Sequence, residues 1–229
     1  MKPTHSVRVI LTALATATLA SFASAQETSP PLTTAEIEAS YVAAIAQRTT
    51  DILALLKLED AAKSNRVAEI ILAQYRLLRL RDDTIDTMVK LMAADEALAQ
   101  RSRAEVSQTM TPRLHERFLA RLAGELTPDQ VETVKDKMTY GKVKVTFDAY
   151  CQIVPALTDA DKAKIMELLK LAREEAIDGG STAEKSRVFQ KYKDQINAWL
   201  DAHGHDVAKA YRDWEAKQPK KEEAAPAAK

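Results

Sequence analysis

Apolar residues recur at helical spacing along most of the chain, and this periodicity constrains the fold more than any other feature of the sequence. Members of each stripe lie mostly three or four residues apart, which places them on one face of an α-helix. The five stripes comprise Ile37, Tyr41, Ile45, Ile52 and Leu56; Val67, Ile70, Ile71, Leu77, Leu78, Ile85, Met88 and Met92; Leu114, Phe118 and Leu122; Ile165, Leu168, Leu169 and Ala172; and Val188, Tyr192, Ile196 and Trp199. The sequence therefore predicts an all-α bundle of long antiparallel helices.

Helix ends are marked by capping residues. Thr127-Pro128-Asp129-Gln130 and Ser181-Thr182-Ala183-Glu184 both have the order of a capping box, and Gly179-Gly180 is predicted to close the preceding helix with a positive φ. Pro112 is predicted either to begin a helix or to kink one. The predicted helices span 34–57, 60–92, 97–124, 128–138, 158–178, 182–203 and 206–217.

One segment departs from the helical period. Residues 139–147 alternate apolar and polar side chains and are rich in β-branched residues, so they predict a short extended connector. We expect one helical domain over 34–217, with two halves at 34–125 and 126–217 as the alternative. A flexible N-terminus over 26–33 and a disordered tail over 218–229 are predicted on either side.

The first 25 residues have the pattern of a secretory signal peptide. Lys2 and Arg8 precede an uncharged apolar run, and Ala23-Ser24-Ala25 offers the small residues that signal peptidase recognises. The apolar run is too short to cross about 30 Å of hydrocarbon, and no later stretch approaches about 20 apolar residues. We therefore expect export to the periplasm or beyond, with no transmembrane segment after cleavage.

Charge excludes two classes of partner. Without the signal segment the chain has 31 basic and 33 acidic residues, interspersed along the sequence. Nucleic-acid binding needs a basic patch, and attraction to anionic lipid needs a polybasic run, so neither partner is expected. Cys151 is the only cysteine and is predicted to act as a small buried hydrophobe.

Few residues indicate chemistry directly. Tyr140 precedes Gly141 in the irregular segment, where binding residues are commonly found. Asp178 lies near a helix C-terminus, where the dipole disfavours an anion, so a cation is expected beside it: Arg173, Lys185, Arg187 or Lys193. The group at 203–206, which contains two histidines, is interpreted as a helix stop followed by an Asp206 cap. No metal-binding or cofactor-binding signature is present.

Aromatic residues are concentrated in the C-terminal half. Eight of the eleven aromatic residues after the signal segment lie between Tyr140 and Trp214. Such a set suits either a ligand platform or a core that needs bulky side chains, and we predict core positions for Phe147, Phe189 and Trp199.

Several motifs resemble those of a family of exported bacterial proteins known as domain of unknown function 3826. The matching stretches are Leu-Thr-Pro-Asp-Gln at 126–130, Met-Thr-Tyr-Gly at 138–141, Ala-Arg-Glu-Glu-Ala-Ile-Asp-Gly-Gly-Ser at 172–181 and Lys-Tyr-Lys-Asp-Gln-Ile-Asn at 191–197. The resemblance implies export, a helical fold and sugar binding rather than catalysis. Carried over to this chain, it draws attention to Tyr140, Arg173, Asp178 and Tyr192 as ligand-binding residues.

Three functions follow as expectations. The first is an exported, non-enzymatic module that binds a carbohydrate or a cell-envelope partner, with Tyr140, Arg173 and Asp178 lining one pocket. The second is a periplasmic chaperone-like protein, because Leu-Thr-Pro-Asp-Gln is similar to a motif of small helical stress chaperones. The third is a hydrolase. A platform of Tyr or Trp rimmed by charged groups favours the first, a broad apolar patch the second and a clustered pair of carboxylates with shifted pKa values the third.

Cleavage of the signal segment gives a direct test of the predicted export. Cleavage after Ala25 leaves Gln26, or its pyroglutamate, as the first residue. Intact-mass spectrometry of the protein recovered from the periplasm should give that mass. Recovery of a chain that still begins with Met1 would contradict the prediction.

Overall fold

A computed structural model describes residues 32–154 and 156–218, and the regular elements in these ranges are all α-helices. The all-α prediction is confirmed. The helices are α1 (Thr34–Leu56), α2 (Ala61–Leu91), α3 (Glu96–Ala123), α4 (Pro128–Met138), α5 (Lys142–Ile153), α6 (Asp159–Ala176), α7 (Thr182–Ala202) and α8 (Val207–Glu215).

Short polar side chains begin the helices where the sequence predicts. The Thr127 hydroxyl accepts from the Gln130 N–H, and the Gln130 side chain accepts in return from the Thr127 N–H, which completes the predicted capping box. Ser181 accepts from the Glu184 N–H, but the capping box predicted there is incomplete, because the Glu184 carboxylate accepts from the Gly180 N–H instead. Asp206 accepts from the Lys209 N–H. Each side chain satisfies an N–H group that the first turn leaves unpaired.

The prediction of an extended connector over 139–147 is wrong, because most of that segment belongs to α5. An alternating strand would place Val143, Val145 and Phe147 on one face. Instead Val143 is 7% exposed and Val145 is 67% exposed, as helical geometry requires. Val143 and Tyr150 lie seven residues apart on the buried face of α5, and burying that face outweighs the β-propensity of the segment.

Pro112 lies inside α3 and does not begin a helix. The alternative that it starts a helix is therefore wrong. Its ring has no N–H to donate, so the carbonyl of Gln108, four residues earlier, loses its usual helical partner.

The long helices α2 and α3 pack antiparallel, as predicted. Arg66 near the start of α2 pairs with Glu125 just after the end of α3, while Asp86 near the end of α2 pairs with Arg103 near the start of α3. The helices α6 and α7 form a second antiparallel pair, and α1 packs against α2 and α4.

Buried side chains form two core clusters. The first draws on α1 to α4, and the second on α5 to α8. The division lies after α4, because Leu126, Val134 and Met138 belong to the first cluster. This differs from the alternative division at 125. The exception is the end of α6, where Ala176 belongs to the second cluster and Ile177 to the first.

The second cluster contains the aromatic residues that were predicted to be core. Phe189 is 2% exposed, and Phe147 and Trp199 pack partly buried against the cluster. Cys151 is half-buried against the same cluster, as expected of a small hydrophobe.

The C-terminal end of α6 is capped by a lysine from the next helix. Lys185 is 3% exposed, and its ammonium donates hydrogen bonds to the carbonyls of Ala176 and Ile177, each at 3.2 Å. These carbonyls lie where a helix leaves acceptors without partners and where the dipole favours a cation.

The predicted signal peptide over 1–25, residues 26–31 and residues 219–229 of the predicted tail lie outside the described residues. None of the described helices combines the length and hydropathy needed to cross a membrane.

Replacement of Lys185 should destabilise the protein more than replacement of an exposed lysine. Lys185→Met leaves the Ile177 carbonyl without its donor and the Ala176 carbonyl with only the Gly179 N–H, which costs about 1–3 kcal/mol of unfolding free energy. Lys170→Met, on an exposed position of α6, should change it by less than about 0.5 kcal/mol. Urea denaturation of both variants measures the difference, and equal midpoints would show that the cap contributes nothing.

Candidate functional site

The four residues predicted to bind ligand occupy different surroundings. Asp178 lines two neighbouring cavities, whereas Tyr140, Arg173 and Tyr192 line neither of them. Each of the other three has its own set of protein contacts.

Arg173 forms ion pairs with carboxylates of the same protein. It is 4% exposed, and its guanidinium donates to Asp136 at 2.6 Å, to Glu132, and to Glu174 at 3.1 Å. Lys135 bridges Glu132 and Glu174. The group holds α4 against α6, and its two terminal nitrogens donate to these carboxylates, while the buried Nε has no partner among the described residues.

Tyr192 belongs to a surface cluster on α6 and α7. Its hydroxyl donates to Glu175 at 3.1 Å, and Lys191 donates to the same carboxylate at 2.7 Å. The Lys191 ammonium also lies 5.2 Å from the centre of the Tyr192 ring.

Tyr140 occupies a strained position in the turn between α4 and α5. The Tyr140 N–H donates to the Lys137 carbonyl and the Gly141 N–H to the Asp136 carbonyl, which is the Schellman arrangement that ends a helix. Tyr140 has φ +62° where glycine is usual, and such a conformation costs a bulky residue of order 1–3 kcal/mol. Its hydroxyl lies 2.9 Å from the Thr182 hydroxyl at the start of α7.

Asp178 pairs with a histidine that the sequence did not indicate. Its Oδ2 lies 2.9 Å from Nδ1 of His115 on α3, and the pair is mostly buried. An ionised carboxylate can only accept, so Nδ1 carries the proton. His115, rather than any of the four cations expected from the sequence, forms the direct contact with Asp178, and of those four Lys185 interacts with the Asp178 charge.

Hydrogen bonding, burial and nearby charges shift the pKa values of His115 and Lys185 in opposite directions. The hydrogen bond to Asp178 raises the pKa of His115 despite its partial burial, and the charges of Asp178 and Glu174 act in the same direction. Burial lowers the pKa of Lys185 to about 8, although the Asp178 charge opposes the shift. His115 therefore holds its proton more tightly than a free imidazole does.

Asp178 has a second oxygen without a partner. Oδ1 is buried and accepts no hydrogen bond within the part of the chain that the structure describes. A buried acceptor without a donor costs about 1–3 kcal/mol, so a donor at this position would stabilise the site.

Asp178 lies at the wall between two concavities. The larger, of about 730 Å³, is bounded by α2, α3 and the loop between α6 and α7, and we call it the Asp178 cleft. The smaller, of about 490 Å³, lies over His115 and Pro112. Ser107, Thr111 and Asp178 line both.

The walls of the Asp178 cleft are strongly polar. Its side chains include four guanidiniums and five carboxylates: Arg79, Arg81, Arg103, Arg187, Asp82, Asp86, Glu175, Asp178 and Glu184. Arg81 is 4% exposed and is fixed by bonds to the Asp82 carboxylate at 2.7 Å and the Thr111 hydroxyl at 3.1 Å. The surface therefore offers both donors and acceptors, and Arg81 among them is held in a fixed position.

Gly180 allows one wall of the cleft to form. Among the described residues, the glycines with a positive φ are Gly141 and Gly204. The prediction that Gly179-Gly180 closes α6 with a positive φ is therefore wrong. A Cβ at Gly180 would lie 1.7 Å from Oδ2 of Asp82. Glycine at this position leaves room for the Asp82 carboxylate against the α6–α7 loop, and a larger residue would displace that carboxylate.

The group at 203–206 forms the predicted helix stop. Gly204 has φ +90° after α7, and Asp206 caps α8. His205 lies 3.1 Å from Asp161, and no cluster of three or more metal-ligating side chains occurs in the described ranges.

Comparison with known proteins identifies a family. The model of the family described as "Protein of unknown function (DUF3826)" matches residues 42–220, a range that spans nearly all of the described helices. This confirms the resemblance seen in the sequence motifs. No curated protein matches the chain.

The His115–Asp178 pair should make stability depend on pH. Because the folded-state pKa of His115 is raised, its stabilisation is complete below the unfolded value of about 6.5 and is lost as pH rises through the folded value. The difference in unfolding free energy between the wild type and His115→Gln should therefore shrink between pH 5.5 and 8.5.

Denaturant titrations at several pH values measure this difference. In an Asp178→Asn background the His115→Gln substitution should show much weaker pH dependence, because the partner charge is gone. A difference that is constant with pH in the wild-type background would contradict the assigned ion pair.

Proposed function

This chain belongs to the DUF3826 family, and from that premise we propose that it is an exported, non-enzymatic module that binds a carbohydrate in the Asp178 cleft. The helical scaffold supplies the walls, and the loop between α6 and α7 supplies the central acceptor. The bound sugar belongs to a free glycan or to a glycan of the cell envelope.

The observation that carries the proposal is the buried Asp178 Oδ1 without a donor. A rotation of the carboxylate that brings Oδ1 to the cleft surface lets a sugar hydroxyl donate to this oxygen and at the same time accept from a guanidinium of the cleft wall. Hydrogen bonds to charged groups contribute about 1.5–3 kcal/mol each, so a few of them suffice for binding.

The charge balance of the cleft supports a neutral ligand. Four guanidiniums face five carboxylates, which leaves no strong net field for a polyanion or for a cation. Neighbouring hydroxyls of a sugar each donate and accept, and so complement a surface that offers both guanidinium and carboxylate groups. A cradle for unfolded chains would instead present a broad apolar face.

The His115–Asp178 pair favours hydrolysis as a second candidate function. An imidazole oriented by a buried carboxylate is the arrangement of a general base, and His115 lines the smaller concavity beside the cleft. If the protein is a binding module, a bound oligosaccharide should be recovered unchanged after prolonged incubation, whereas cleavage that His115→Gln abolishes would establish the hydrolase.

A glycan array screened with the protein from Gln26 onward should identify the ligand. Calorimetry should then show that Asp178→Asn weakens its affinity about ten- to hundred-fold, through loss of a charged hydrogen bond. Asp148→Asn is the matched control, since Asp148 forms a surface pair with Lys144 on α5 and lines no part of the cleft.

Two further measurements separate binding from folding. Circular dichroism should show that Asp178→Asn retains its helices, and Ser107→Trp should block the cleft without removing a charge. The proposal fails if no glycan binds, or if both variants bind it as tightly as the wild type.

A further inference from the structure

The second core cluster has a concavity of a different chemical character. It measures about 640 Å³ and lies between α5, α7 and α8, and we call it the α8 groove. Its wall is mostly apolar and includes Val145, Ile153, Val207 and Tyr211. Its volume is in the range of pockets for small organic ligands.

The floor of the groove is held in place by Tyr150. Its hydroxyl donates to Oδ1 of Asn197 at 2.6 Å and lies 3.2 Å from the Lys193 carbonyl. Because both partners belong to α7, the ring is fixed between α5 and α7. At the opening, Val145 is 67% exposed and Tyr211 is 48% exposed, so apolar surface remains accessible to a ligand.

Two cations line this groove without an ion-pair partner among the described residues, although the charge of Asp213, which is paired with Lys209, interacts with Arg212. Lys193 of α7 and Arg212 of α8 line the groove, and neither forms an ion pair with any described residue. Neighbouring lysines on the same helices are paired, Lys191 with Glu175 and Lys209 with Asp213.

The groove contains one carboxylate, which is already engaged. Oδ1 of Asp201 accepts the Val207 N–H at 3.0 Å and so holds the first turn of α8 against the end of α7. With Lys193 and Arg212, the formal charge of the lining is +1. A ligand with one negative charge would balance it.

We propose that the α8 groove is a second binding site, for a small monocarboxylate with an apolar body. The apolar body would lie against Tyr150, Val145 and Tyr211, where burial provides about 25 cal/mol per Å². The carboxylate would lie between Lys193 and Arg212, where the guanidinium offers paired donors that match its two oxygens. The site is independent of the Asp178 cleft in position and in chemistry.

Octanoate is a suitable probe, because it combines one carboxylate with a flexible apolar chain. Calorimetry with the protein from Gln26 onward should detect saturable binding of octanoate, and weaker binding of 1-octanol, which has no charge. Lys193→Gln and Arg212→Gln should each weaken octanoate binding about ten-fold. Lys170→Gln, on an exposed face of α6, should leave it unchanged. Phenylpropionate in parallel distinguishes an aromatic body from an alkyl one.

Steric and positional controls complete the test. Ala208 is exposed and lines the groove, so Ala208→Trp should fill it and abolish binding while the helices remain. Asp178→Asn should not change octanoate affinity. The proposal is overturned if octanoate does not bind, if octanol binds equally well, or if the Lys193→Gln/Arg212→Gln double variant binds like the wild type.

Discussion

The end of α6 is the point on which the rest of the structure depends. Ala176 and Ile177 are consecutive residues, yet they are buried in different core clusters. Neighbouring side chains at this helix end therefore pack into different cores, and the last carbonyls of the helix need donors from outside it, one of which is the Gly179 N–H to Ala176. Lys185 also donates to these carbonyls, and its burial is tolerated because Asp178 provides a nearby negative charge.

The same few residues position the cleft. Once the end of α6 is fixed, the following residues place Asp178 beside His115 of α3 and Gly180 against Asp82 of α2. The site is thus a consequence of how the two cores are joined. Substitutions that loosen this junction would alter the cleft even where they touch none of its walls.

The sequence predicted the local features of this arrangement well. Capping residues fix helix starts through bonds to N–H groups two or three residues away, so Thr127 and Asp206 could be identified directly. The sequence failed to predict α5 because the alternating residues of that segment fit a strand and a helix equally well. Only burial against a distant helix decides between the two. Asp178 was identified from its unfavourable place near a helix end, but His115 is 63 residues away, and only the packing of α3 shows the pair.

Pro112 has a consequence for the kind of acceptors available beside the cleft. The Gln108 carbonyl, which lacks the proline's N–H, belongs to a residue that lines the smaller concavity. The helix that borders this concavity therefore contains a main-chain acceptor without its helical partner. Unlike the carboxylates nearby, a peptide oxygen cannot be titrated, and substitution of its own side chain leaves it in place. Pro112 thus leaves this helix with an acceptor that is constant across pH and across changes at position 108.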